Sequence, residues 1–198
     1  MTGWSVHEGK AVHLPLENVD TDQLIPARFM SIPRAQGYGD HLLYDLRRVD
    51  GALDPGFPLN AAPGASILLA GANFGSGSSR EAAVYALVDA GFRAVVAPSF
   101  GDIFAGNAVN NGLCPARLDE RDIQQLLAVG AEQMTVDLEA QVVRAGQLAL
   151  HFELDPAWAR KLINGWDDID LTLQEGGAIT RYRSARLSKG WTWPGGVA

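Results

Sequence analysis

The feature that most constrains this chain is a glycine-rich turn set between an apolar run and an alanine-rich stretch. Ser66-Ile67-Leu68-Leu69-Ala70 has the length and character of a buried strand. Asn73-Phe74-Gly75-Ser76-Gly77-Ser78-Ser79-Arg80-Glu81 follows, and Ala82-Ala83-Val84-Tyr85-Ala86-Leu87-Val88 continues with helical character. A second apolar run at 93–97, with a helix predicted over 79–91 between, makes a βαβ unit with parallel strands. The turn also suits an anion. A helix start leaves backbone N–H groups unpaired and partly positive, while Gly75 and Gly77 let a ligand approach the main chain. Arg80 adds a planar fork matched to a carboxylate.

A plainer reading stands beside this one. Ser78 with Glu81 three residues later fits a capping box, and taken alone such a turn is more often a cap than a site. The dinucleotide pattern fails because the third glycine is missing, and no Walker lysine follows. The net charge of −7 disfavours a general nucleic-acid or anionic-membrane binder, so an anionic ligand has to be attracted locally by arginines and oriented amides. With 198 residues the expectation is one domain spanning 1–198. No apolar run approaches the about 20 residues of a membrane span, and residues 1–8 lack a signal-peptide core, so a cytoplasmic location is expected. Cys114 is the one cysteine, which excludes an internal disulfide and an iron–sulfur cluster ligated by this chain alone.

Around the central unit, 10–16 alternates like an opening strand that ends at Glu17-Asn18-Val19-Asp20-Thr21-Asp22. Prolines 26 and 33 favour irregular backbone through 23–34, where Asp20, Asp22, Arg28 and Arg34 are either solvated loop charges or functional groups. An excursion over about 28–63 is rich in Gly, Pro and Asp, with a short helix predicted at 41–46. Helices are predicted at 103–110, 119–129 and 156–162, the last with Asp155 as cap and Pro156 at its first position. A third strand is expected near 113–116, where Cys114 reads as a small core residue. The period then changes to two over 134–138, 141–144 and 148–154, giving short antiparallel strands. A further element begins within 165–173, and 177–187 reads as a basic, solvated helix within a C-terminal segment at about 176–198 that ends in Trp191 and Trp193. Histidines 7, 13, 41 and 151 lack ligand spacing, so no metal site is expected.

Several segments together resemble the small subunits of 3-isopropylmalate dehydratase and, more distantly, the swivelling domain of aconitase. They are residues 18–29, 73–81, 97–104, 110–113 and 164–173, in the family's order. The resemblance implies an α/β fold, a three-layer β/β/α swivelling domain whose mixed sheet combines a βαβ unit with a smaller antiparallel strand set. It also implies a heteromeric hydro-lyase in leucine biosynthesis that converts 2-isopropylmalate into 3-isopropylmalate by dehydration and rehydration. A separate large subunit would carry a [4Fe–4S] cluster, and the substrate would be a small dicarboxylate.

By the same resemblance Ser78 would be the base, acting as an alkoxide. Ser79 and Arg80 would bind a substrate carboxylate, and Arg34 falls where aconitase keeps a carboxylate-binding arginine. Asp22 and Arg28 read as shapers of the surrounding loop, and Gly75 and Gly77 as the turn that brings backbone amides to the site. Two positions depart from the family: Ser76 replaces a common Cys, and Ala82 replaces a His after Arg-Glu. Related acids such as homoaconitate, citramalate or a dimethylmalate therefore remain alternatives to isopropylmalate, as does a non-catalytic anion-binding subunit.

Overall fold

The protein is described by a computed structural model over residues 2–130 and 132–189, so Trp191 and Trp193 lie outside the described residues. The chain opens with β1 (Val6–Leu14) and α1 (Thr21–Leu24), then runs through the hairpin β2 (Arg48–Val49) and β3 (Ala52–Leu53) to α2 (Pro58–Ala61). The central segment is β4 (Ile67–Ala70), α3 (Glu81–Asp89), β5 (Ala94–Ala97), α4 (Asp102–Asn110), β6 (Cys114–Arg117) and α5 (Glu120–Val129). The ribbon β7 (Gln133–Asp137), β8 (Val142–Ala145) and β9 (Leu148–His151) follows. Helices α6 (Pro156–Asn164), α7 (Asp168–Leu173) and α8 (Gly176–Ser188) complete the order.

The sheet runs β6-β5-β4-β1-β7-β8-β9. β1, β4, β5 and β6 pair in parallel, as two consecutive βαβ units require. β1 also pairs antiparallel with β7, which begins a meander through β8 and β9. One strand thus serves two halves: Ala11–Leu14 faces β4, and Val6–Lys10 faces β7.

Alternation along β4 shows the layering. Leu68 and Ala70 enter one core with Ala83, Val84, Ala86 and Leu87 of α3. Ile67 and Leu69 enter the other with Met134, Val136, Val143 and Ala145 of the ribbon, beside Ile123 of α5 and Leu162 of α6. The expected β/β/α arrangement follows, and it explains why 67–70 and 94–97 carry no polar side chain: both faces of these strands are covered.

Some local expectations fail for identifiable reasons. β1 starts earlier than predicted because Val6–Lys10 is held by ladder bonds to β7 without an apolar alternation; only Val12 and Leu14 of the strand are buried. No α-helix forms at 41–46. A 3₁₀ turn covers Gly39–His41, and Leu42 and Leu43 both point into the core, with Leu43 at φ 51° ending any helical path. Asp50 and Gly51 take φ 49° and 81°, the pair of left-handed residues that closes the two-residue β2–β3 hairpin. By contrast α6 is capped as expected, Asp155 accepting from the amides of Ala157 and Trp158, and Gly165 ends it in the left-handed conformation. α8 buries no residue, in accord with a solvated basic face.

Candidate active site

The turn after β4 is built by main-chain bonds among three loops. Gly75 N–H donates to Val19 O at 2.7 Å, and Thr21 N–H donates to Ser76 O at 2.9 Å. Phe74 N–H donates to Ser99 O at 3.0 Å, and Gly101 N–H returns to Phe74 O at 2.9 Å. Side chains reinforce the seam. Asn73 Nδ2 donates to Asn18 Oδ1 at 2.9 Å, and Ser99 Oγ accepts from Asn73 N–H at 2.8 Å. The loops lie beyond the C-terminal ends of β1, β4 and β5, where ligands bind in open parallel sheets.

Gly75 has φ 73°, and a Cβ there would stand 2.2 Å from a ring carbon of Phe104. Phe104 packs edge-on against the fully buried Phe74 with ring centroids 5.4 Å apart. The glycine therefore lets the turn descend onto an aromatic floor. Gly77, at φ 95°, has no comparable crowding; the nearest atom to its Cβ position would be 3.5 Å away.

Past this floor Ser78 and Ser79 are exposed. α3 starts only at Glu81, with Arg80 at the N-cap, which corrects the prediction of a helix from 79. The Ser78–Glu81 capping box does not form: Arg80 N–H donates to Ser78 O at 2.8 Å, and Glu81 Oε1 accepts from Asn111 Nδ2 at 2.8 Å. The chain stays in a turn to keep its bonds with 19–21, which delays the helix. Ser78 thus stands ahead of the first helical turn, where the dipole's influence is declining.

Ser78 Oγ lies 3.3 Å from Thr21 Oγ1, and Thr21 Oγ1 donates to Ser78 O at 3.0 Å. Arg80, its side chain 25% exposed, is hydrogen-bonded through Nη1 to Asp22 Oδ1. Asp22 therefore meets the arginine fork directly. Arg28 pairs with Asp45, with Nη1 to Oδ2 at 3.0 Å, and its guanidinium lies 4.6 Å from the Phe29 ring centroid. The hydrogen bond from Arg28 holds the Asp45 carboxyl below its ordinary range. Arg34 is placed elsewhere. Its Nη1 is 2.5 Å from Asp89 Oδ2, and its guanidinium sits 4.4 Å from the Tyr85 ring centroid. Asp89 is the last residue of α3, about 12 Å along the axis from Glu81. The structure thus brings Asp22, Ser78, Ser79 and Arg80 together and holds Arg34 at the other end of the helix.

Two cavities, of about 390 and 1010 Å³, lie under the 36–65 excursion and between 99–117 and 141–158; neither is lined by Ser78, Ser79 or Arg80. The serine–arginine surface is open on this chain. Thr21, Asn18, Asn73 and Ser99, which hold that surface, were not singled out by spacing; their membership in the 18–29, 73–81 and 97–104 segments was the available signal. Ala82 is 8% exposed and enters the core from the first turn of α3, so the departure at this position is an apolar fit. Cys114 is fully buried, and desolvation pushes its thiol pKa up, which keeps the thiol protonated. Among the described residues no group of three or more His, Cys, Asp or Glu could hold a metal ion, and no helix is long and apolar enough to cross a membrane.

A second polar cluster braces the helices near the site. Lys161, 3% exposed, reaches Asn110 Oδ1 and Asp168 Oδ1, the latter at 2.5 Å, and Asn110 Nδ2 donates to Asp168 Oδ2 at 3.1 Å. The hydrogen bond from Lys161, with its charge, holds the Asp168 carboxyl below the usual range. A depressed folded value contributes stability above about pH 4 and loses it as pH falls through that value. Asp168→Asn is expected to lower unfolding free energy by about 1–2 kcal/mol at neutral pH, discounted for the carboxylate's exposure. Urea melts at pH 7 and pH 3 check this: the difference between the two proteins should shrink at the lower pH.

Residues 1–121 match the family described as Aconitase C-terminal domain, and residues 124–156 match LeuD_N. The chain is 49% identical over 183 residues to the 3-isopropylmalate dehydratase small subunit of Shouchella clausii, covering 89% of this chain and 93% of that one. It is 44% identical over 186 residues to the protein of the same name from Lactococcus lactis, covering 92% and 97%. The solved structure of 3-isopropylmalate dehydratase (leuD) from Methanocaldococcus jannaschii superposes with a TM-score of 0.66 at 26% identity, covering 90% of this chain and 99% of that one. With identities of 44–49% and near-complete coverage in both directions, the chain belongs to the family of 3-isopropylmalate dehydratase small subunits.

Proposed function

We propose that this chain is the small subunit of the hydro-lyase that interconverts 2-isopropylmalate and 3-isopropylmalate in leucine biosynthesis, with Ser78 as its proton acceptor. The observation that carries the reading is the exposed Ser78-Ser79-Arg80 run on a turn fixed by main-chain bonds beyond the parallel strands. Arg80 offers its fork to a substrate carboxylate, displacing the Asp22 carboxylate that it holds here. Ser79 donates to the same carboxylate, which sets the neighbouring carbon beside Ser78 Oγ, and Ser78 takes that carbon's proton. Arg34 serves as a second carboxylate ligand, and to do so it leaves Asp89.

An alkoxide at neutral pH needs positive groups and the absence of water. Arg80 and the turn amides provide the first, and the large subunit provides the second by covering a surface that is open on this chain. The [4Fe–4S] cluster expected on that large subunit supplies the Lewis acid for the substrate hydroxyl. Residues 1–198 act as one swivelling domain, and the cytoplasmic location belongs to the same reading.

The test is reconstitution with the large subunit, comparing 2-isopropylmalate with citramalate, dimethylmalate and homoaconitate. Preference for any of the latter would overturn the substrate. Arg80→Lys is expected to lower kcat/KM by about 10- to 100-fold, because an ammonium has the charge without the bidentate geometry. An unchanged kcat/KM in steady-state assays would remove Arg80 from the carboxylate site.

A further inference from the structure

We infer that Thr21 is a positioning residue for Ser78, its hydroxyl switching between the Ser78 carbonyl in the resting state and the Ser78 side-chain oxygen when that oxygen carries negative charge. The inference rests on the reading of Ser78 as proton acceptor and adds what holds and charges that atom.

Thr21 is 1% exposed and polar, a combination it shares with Lys161. A buried hydroxyl is tolerated when its hydrogen bonds are made, and both of its partners here belong to one residue, Ser78. The side chain has little freedom. It is β-branched, its own amide is tied to Ser76 O at 2.9 Å, and α1 is locked by a reciprocal cap. In that cap Gln23 N–H donates to Asp20 Oδ1 at 2.7 Å and Asp20 N–H donates to Gln23 Oε1 at 2.9 Å.

The proton count then fixes the roles. A carbonyl oxygen only accepts, so at 3.0 Å from Ser78 O the single Thr21 proton is donated there. Toward Ser78 Oγ at 3.3 Å, Thr21 Oγ1 can then only accept, and the resting Ser78 hydroxyl points its proton at Thr21. Ser78 lone pairs are left facing the open surface. If Ser78 Oγ becomes anionic by giving its proton to solvent water at this exposed surface, the arrangement sets lone pair against charge, and rotation about the Thr21 Cβ–Oγ bond relieves it by turning the Thr21 proton from the carbonyl to the anion. No proton leaves Thr21. The new hydrogen bond is made to a charged acceptor, the bond given up was to a neutral one, and the difference favours the reactive form. Asp22, next along α1, holds Arg80, so one short helix organises both the charged oxygen and its counter-ion.

The experiment uses the reconstituted two-subunit enzyme with Ser78→Ala, Thr21→Val and Thr21→Ser assayed in parallel. Thr21→Val keeps the shape and removes the hydroxyl; kcat is expected to fall by about 10- to 100-fold, the value of one hydrogen bond to a charged group. KM should stay within about twofold, since Thr21 is not among the groups that hold the substrate. Thr21→Ser should recover kcat to within about threefold of wild type, because the hydroxyl is restored. A wild-type kcat in Thr21→Val, or an equal loss in Thr21→Val and Thr21→Ser, would overturn the inference, the second because the residue would then act through packing alone. If Thr21→Val fails to assemble, Thr21→Cys replaces it: its weak S–H donor should also slow kcat, and a wild-type rate there overturns the inference equally. Full turnover in Ser78→Ala would instead remove the base assignment itself, a separate outcome.

Discussion

Ser78→Ala is expected to reduce turnover of the reconstituted enzyme by about 10²- to 10⁴-fold, the range lost with a positioned general base. Its effect on folding should be small. The Ser78 side chain is exposed and, among the described residues, its hydroxyl has one partner, Thr21 Oγ1 at 3.3 Å, while its carbonyl keeps its own bonds whatever the side chain. Stability should stay within about 0.5 kcal/mol of wild type. Steady-state kinetics with 2-isopropylmalate, a thermal melt of the variant and gel filtration with the large subunit separate the two quantities. The expected result is an assembled complex with near-normal KM and almost no kcat. A wild-type rate would leave the turn as an anion-binding surface without a base.

Gly75→Ala should have the largest effect on stability among simple substitutions in the turn. The added methyl would sit 2.2, 2.5 and 2.7 Å from Phe104 atoms, and Phe104 is wedged against Phe74 and Phe100, so the ring has little room to retreat. The φ of 73° also disfavours any side chain. Overpacking and backbone strain together should destabilise by about 2–5 kcal/mol. Gly77→Ala is the control. Its φ is as unfavourable, but no atom lies within 3.5 Å of the added carbon, so about 1–2 kcal/mol is expected. Chemical denaturation of both variants checks the contrast; equal losses would show that conformation, and not contact with Phe104, demands the glycine at 75.

The central layers were legible because covered parallel strands leave a plain signature: 67–70 and 94–97 are uniformly apolar, and the helix between them is rich in alanine on its buried face. The first half of β1 was hidden because it is held by ladder bonds in a sequence, His7-Glu8-Gly9-Lys10, without apolar alternation. Asp50-Gly51 was a readable hairpin signal that composition obscured within a polar excursion. At the site, Ser78, Ser79 and Arg80 came from the motif. Their partners did not, since Thr21 with Ser78 and Asp22 with Arg80 are 57 and 58 residues apart. Arg34 shows the same limit: its pairing with Asp89, 55 residues away, is a tertiary choice that a loop's local residues do not encode.

The glycine-rich turn is fastened to its neighbours largely through peptide groups, which every amino acid carries. Ser76 illustrates what this permits: its carbonyl takes the Thr21 amide, a bond that any residue at this position can supply. Selection can then revise the outward-facing groups one position at a time, without rebuilding the frame beneath.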